Sequence, residues 1–115
     1  METWDIASLD VEPHHPEVLH TDAGSRVIAL NLPSGESMQE HQTHESAYVV
    51  VTDGEVEIVG EETVTGGAGL TAHFEANERR EIRAKQDTRL LLFLSPWPGA
   101  GHSRERAGGG PPDSR

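Results

Sequence analysis

The chain contains no cysteine, which excludes disulfides, thiolate metal sites and thiol nucleophiles, and which fits a reducing compartment. Aromatic residues make up only 4% of it, so any core must be built from Val, Ile and Leu rather than large rings. No apolar run approaches the ~20 residues of a membrane-spanning helix. The first ten residues carry Glu2, Asp5 and Asp10 where a signal peptide would place basic side chains, so the expected location is cytoplasmic. Basic residues are scarce as well: 9 Lys and Arg stand against 20 Asp and Glu, for a formal charge of −11. A body this acidic repels phosphate, which makes nucleic acid and anionic membranes poor partners. No nucleophile motif, phosphate-cradling loop or isolated carboxylate pair stands out, so hydrolase and kinase chemistry find no support.

What is present organises as one domain, because 115 residues divided into two cores would leave neither enough apolar surface to fold. The domain is expected over residues 1–102, with the tail 103–115 disordered, since that tail contains Gly108 to Pro112 and no large apolar residue. Six basic and eighteen acidic residues up to His102 put −12 on the body and leave +1 for the tail, where Arg104, Arg106 and Arg115 lie. Short strands separated by turn residues are predicted over 26–32, 47–52, 55–59, 62–65, 70–74, 80–85 and 89–94. In the first of them Val27, Ala29 and Asn31 alternate with Ile28, Leu30 and Leu32. Asp53 and Gly54 between two β-branched runs predict a hairpin. With no helical stripe, the fold class is all-β, a sandwich or barrel.

The stretch from Leu32 to Glu55 resembles the first motif of the cupin superfamily, G-x5-H-x-H-x3-4-E-x6-G. Gly35 and His41 sit at its spacing, and Tyr48 to Val50 followed by Asp53, Gly54 and Glu55 resemble its closing strands. A second motif is traceable in outline from Gly69 to Ala84. The resemblance implies a double-stranded β-helix, or jelly-roll barrel. In metal-binding members it also implies a divalent ion (Zn, Ni, Mn or Fe) held by two histidines and a glutamate of the first motif and one histidine of the second. Here Thr43 stands two residues after His41, His44 arrives one later, Ala47 replaces the glutamate and Arg80 falls where the second-motif histidine belongs.

Alternation along a strand puts His41, Thr43 and Glu45 on one face and His44 on the other, so a bulge between His41 and His44 is needed to bring both imidazoles together. The metal candidates are therefore His41 and His44, with Glu45 as a weaker partner and His73 as a replacement ligand; alternation turns His73 outward, toward a surface role. His14, His15 and His20 flank turns and carry no role beyond adventitious metal. A guanidinium at position 80 repels a cation, and with His41, His44 and Tyr48 it outlines a pocket suited to a small carboxylate or phosphate. The alternative is an internal pair between Arg80 and Glu45 or another carboxylate. Trp4 and Trp97 are expected to pack at barrel ends or a subunit contact. The first functional expectation is a small-molecule binder without an intact metal site. A metal-dependent oxygenase or isomerase and a dimeric interaction module stand beside it, and a homodimer is expected because the core is small.

Overall fold

The structure, a computed structural model, describes residues 1–13, 15–41 and 44–97, the side chains of 39–41 excepted. The tail expected over 103–115, and His14 and Thr43, lie outside the described residues. Every regular element described is a strand: β1 (Glu17–Thr21), β2 (Arg26–Leu32), β3 (Ser37–His41), β4 (Ser46–Asp53), β5 (Glu55–Val59), β6 (Thr63–Gly67), β7 (Thr71–Phe74), β8 (Arg80–Ala84) and β9 (Thr88–Ser95). The all-β expectation holds. Among the described residues no helix is long and apolar enough to cross a membrane.

The strands form two antiparallel sheets. One runs β1-β2-β9-β4-β7 and the other β3-β8-β5-β6. Because successive side chains alternate between faces, each strand contributes every second residue to the space between the sheets. Leu30, Leu32, Val49, Val51, Leu90 and Leu92 of the five-stranded sheet face Val56, Ile58, Ile82 and Ala84 of the other, and together they form the core. Leu90, Val49 and Val56 are wholly excluded from water. Leucine and β-branched side chains suit this role, since they fill a pleated interior without bringing polar atoms into it.

The hairpin predicted at Asp53 and Gly54 is not one. β4 pairs with β7 and β9, whereas β5 pairs with β6 and β8, so this turn carries the chain from one sheet to the other. Gly54 has φ +99, and a Cβ there would collide with the Asp87 carbonyl and the Thr88 hydroxyl. The corner is held by Thr88, whose Oγ1 accepts from the Glu55 N–H at 3.2 Å and is itself within 2.8 Å of the Gln86 carbonyl. The hairpin in this region is β5-β6, closed at Gly60 to Glu62 with Val59 opposite Thr63. β1 and β3 were not among the expected strands; both are five-residue edge strands whose polar residues dilute the apolar pattern.

The N-terminal segment lies over the outer face of the larger sheet. Arg89 Nη1 donates to the carbonyls of Ile6 and Leu9, and Asn31 Nδ2 donates to the Val11 carbonyl at 2.7 Å. Val11 is buried, and so is Ala29 although it points outward.

Candidate functional site

Charged side chains penetrate the space between the sheets at one end. Glu45 is 1% exposed and Arg80 2%, the deepest charges among the described residues. Both positions follow from strand parity: Arg80 shares a face with the core residues Ile82 and Ala84, and Glu45 precedes the inward series Ala47, Val49, Val51. A buried charge is costly unless an opposite charge or a polarisable partner accompanies it, and each of these has company. The Arg80 guanidinium stands 5.0 Å from the centre of the Phe74 ring. Burial pushes its pKa down from the ordinary arginine value, and the charge of Glu78 opposes that shift.

Arg26 completes this end. The pairings Arg26↔Leu94, Leu94↔Ala47 and Ala47↔Phe74 place it in the inward row that ends at Phe74. Its pKa is also lowered by burial, opposed by the charge of Glu45. Its guanidinium covers the Trp97 ring at 4.1 Å, which puts Trp97 at a barrel end as expected. Arg26 Nε donates to Thr21 Oγ1 at 3.0 Å. Sequence reasoning gave Arg26, Phe74 and Glu78 no part in the site, although it turned Phe74 inward. The signal for Arg26 was available, since it is in phase with Ile28, Leu30 and Leu32.

The residues expected to gather here divide between two faces. His41 and Arg80 are direct partners across β3 and β8, so the backbone brings these two positions together. The described irregularity in β3 lies between Met38 and His41, ahead of the place where a bulge was expected. His44 is exposed and Glu45 buried, the opposite orientations that alternation requires. Tyr48 is 53% exposed on the outer face of β4, so it does not line the mouth with Arg80. His73 is on that same outer face, its Nε2 2.6 Å from Ser46 Oγ and its ring 4.7 Å from that of Tyr48. Arg79 is exposed, so of the two adjacent arginines only Arg80 enters the barrel.

Among the described residues no three His, Asp or Glu side chains converge on a point where a divalent ion could be held, and first-row metals generally need three protein ligands. The position of the fourth family ligand holds a buried cation instead.

Two cavities flank the core. One of about 240 Å³ opens beside β5, β6 and β7; its floor is Ile58, Leu70, Ala72 and Phe74, and its rim includes Glu61, Glu62 and Glu78. It shares Phe74 and Glu78 with the surroundings of Arg80. The larger, about 390 Å³, is lined by Asn31, Leu32, Asp53, Asp87, Thr88 and Arg89 among others. It lies at the opposite end of the barrel, where Asn31, Thr88 and Arg89 already hold the N-terminal segment and the sheet-crossing corner.

Solved structures of the same architecture are numerous. An RmlC-like cupin from Desulfovibrio desulfuricans matches with a TM-score of 0.75 at 17% identity, over 84% of this chain and 97% of that one. An RmlC-like cupin with a double-stranded β-helix fold from Methanocaldococcus jannaschii matches at 0.69 and 16%, over 84% and 91%. The cupin domain of Cnp3 from Schizosaccharomyces pombe matches at 0.72 and 12%, over 82% and 73%. At these identities the likeness shows the fold, a double-stranded β-helix. No curated relative matches the chain. Residues 8–93, which take in β1 to β8 and β9 up to Phe93, match the model of one family. The chain thus belongs to the cupin superfamily, in the family described as the quercetinase C-terminal cupin domain.

Proposed function

We propose that this cupin binds a small organic monocarboxylate, with Arg80 in the place of the family's metal. The observation that carries this reading is a guanidinium 2% exposed at the register position facing His41, beside a cavity with an apolar floor. Arginine stays charged even when burial lowers its pKa, and its planar fork matches a carboxylate. The apolar body of the ligand would rest on Ile58, Leu70, Ala72 and Phe74. Its carboxylate would take over from Glu78, an exposed residue on the turn at Asn77, as the counter-charge of Arg80. Glu61 and Glu62 at the rim oppose approach by an anion of higher charge, which restricts the ligand to a single negative charge. A cation at this end would meet Arg80 instead, so the metal-dependent oxygenase or isomerase reading is the weaker one.

The test is a thermal-shift series with benzoate and short aliphatic carboxylates, their neutral amides, and dicarboxylates, on the parent and on Arg80→Gln. Monocarboxylates are expected to raise Tm in the parent alone, and amides and dicarboxylates to leave it unchanged. Equal shifts in Arg80→Gln, or none in the parent, would remove the proposal.

A further inference from the structure

The cavity beside β7 has a direction. Leu70, Ala72 and Phe74 lie in phase along its floor, and at the usual strand rise about 13 Å separate the first of them from the last. Phe74 marks one end, where the Arg80 guanidinium stands 5.0 Å from its ring. Leu70 marks the other, and the small side chain of Ala72 leaves the space between them. The backbone of Leu70 is fixed on two sides: its N–H donates to the Gly67 carbonyl at 2.9 Å, and its carbonyl accepts from the Val51 N–H at 2.9 Å. Its side chain is wedged against β6, since a Cβ at Gly66 would stand 3.0 Å from Leu70 Cδ2 and 3.3 Å from both its Cβ and its Cγ. Gly66 has none of the positive φ seen at Gly35, Gly54 and Gly69. An L side chain is therefore opposed at position 66 by Leu70 and not by the backbone.

We propose that Leu70, braced on the bare backbone of Gly66, is a specificity residue that limits the length of the carboxylate able to bind, an inference that rests on the monocarboxylate reading. A ligand whose carboxylate is held by Arg80 lays its body along β7, over Phe74 and Ala72, and must stop at Leu70. Volume agrees with this limit. The cavity of about 240 Å³ has room for about eight waters at ~30 Å³ each, enough for one ring with its carboxylate and too little for two rings in line. The ligand class is therefore a single-ring or short-chain monocarboxylate. Gly66 enters the same argument, because the backbone hydrogen bonds of Leu70 hold its Cβ in place. Only its outer carbons can yield to a methyl group at position 66, and the open space they have to yield into is the cavity. Leu70 also packs against the core, so its truncation costs stability whatever its part in binding. The preference between two ligands, and not the melting temperature, reads the proposed role.

The experiment is calorimetric titration of the full chain with benzoate and with biphenyl-4-carboxylate, on the parent, Arg80→Gln, Leu70→Ala, Gly66→Ala and the variant carrying both of the last two changes. The parent is expected to bind benzoate at least about tenfold more tightly than the two-ring acid, and Leu70→Ala to gain about that factor for the two-ring acid. Arg80→Gln is expected to bind neither. Gly66→Ala is expected to weaken benzoate at least about threefold, and adding Leu70→Ala to cancel that loss, which a merely structural defect at position 66 would not do. If Leu70→Ala fails to fold, Leu70→Val takes its place, with a smaller gain in the same direction expected. No binding of either acid to the parent, or equal binding in Arg80→Gln, overturns the monocarboxylate reading and the length limit with it. Benzoate binding that needs Arg80, with a preference unchanged in folded Leu70→Ala or Leu70→Val, overturns the length limit alone.

Discussion

Arg80 and Phe74 meet across the barrel: the guanidinium carbon of one, on β8, stands 5.0 Å from the ring centre of the other, on β7. The two strands belong to different sheets, so the contact ties the sheets together at the end where the charged residues enter. A cation over an aromatic face contributes about 2 kcal/mol when desolvated, less than the several kcal/mol that burying a charge costs. Arg80 is thus a poor stabiliser compared with an apolar residue of its size.

The first prediction follows from that imbalance. Arg80→Met, which keeps most of the volume and removes the charge, is expected to hold or raise the melting temperature while abolishing the response to monocarboxylates. Arg80→Lys is expected to retain the charge and lose at least tenfold in affinity, because a point charge cannot grip a carboxylate bidentately. A fall in Tm of more than about 10 °C in Arg80→Met, about 2 kcal/mol in a domain of this size, would make the guanidinium a structural requirement.

Metal titration gives the second. The parent is expected to show no stoichiometric zinc binding by calorimetry, and Arg80→His is expected to gain it, since the change removes a cation and adds a ligand opposite His41. That affinity should rise as pH passes through 6 to 7, where imidazoles lose their protons. A tight site in the parent that vanishes in His41→Ala would contradict the monocarboxylate reading.

Two glycines of positive φ should respond differently to alanine. Gly35 has φ +84 with open space around its Cβ position, whereas Gly54 has φ +99 and the Asp87 and Thr88 backbone corner in the way. Gly35→Ala is expected to cost about 1 kcal/mol, for the left-handed backbone alone. Gly54→Ala should cost at least about 2 kcal/mol more, because backbone must move. Urea melts of both variants measure the difference.

An acid effect is expected at the β1-β2 turn. Asp22 accepts from the Gly24 N–H at 3.2 Å and from Ser25 Oγ at 3.1 Å, and the first of these chiefly holds its pKa below the ordinary aspartate value. A carboxyl whose folded pKa is depressed contributes stability above its unfolded pKa of about 4 and loses it as pH falls through the lower folded value. The Tm difference between the parent and Asp22→Asn should be constant above about pH 5 and shrink below about pH 4. An Asp22 titration midpoint at or above the ordinary value, by NMR, would count against this.

Much of the local structure was legible beforehand. The alternation in Arg26 to Leu32 and Ala47 to Val51 is a property of consecutive residues, so it set which side chains share a face wherever those strands were to lie. The outward turn of His73 and the opposed orientations of His44 and Glu45 came from the same rule. Applied to Tyr48, between Ala47 and Val49, it would have removed that residue from the pocket; the family pattern drew it in.

What alternation could not supply was partnership between distant strands. Asp53 and Gly54 truly mark a backbone turn with positive φ, yet a turn of that kind serves a hairpin and a crossing between sheets equally well. Only the pairing of β4 with β9 and of β5 with β8, each across more than twenty residues of chain, made it a crossing. The burial of Arg80 has the same origin, because its neighbours Phe74 and His41 come from strands on either side of it in space. Composition and short-range pattern determined the all-β class, the faces and the turns, since these depend on residues within a few positions of one another. The tertiary structure decided the sheet order, the charged end of the barrel and the outward contact of Tyr48 with His73, because each is made of side chains that meet only after the chain has folded over itself.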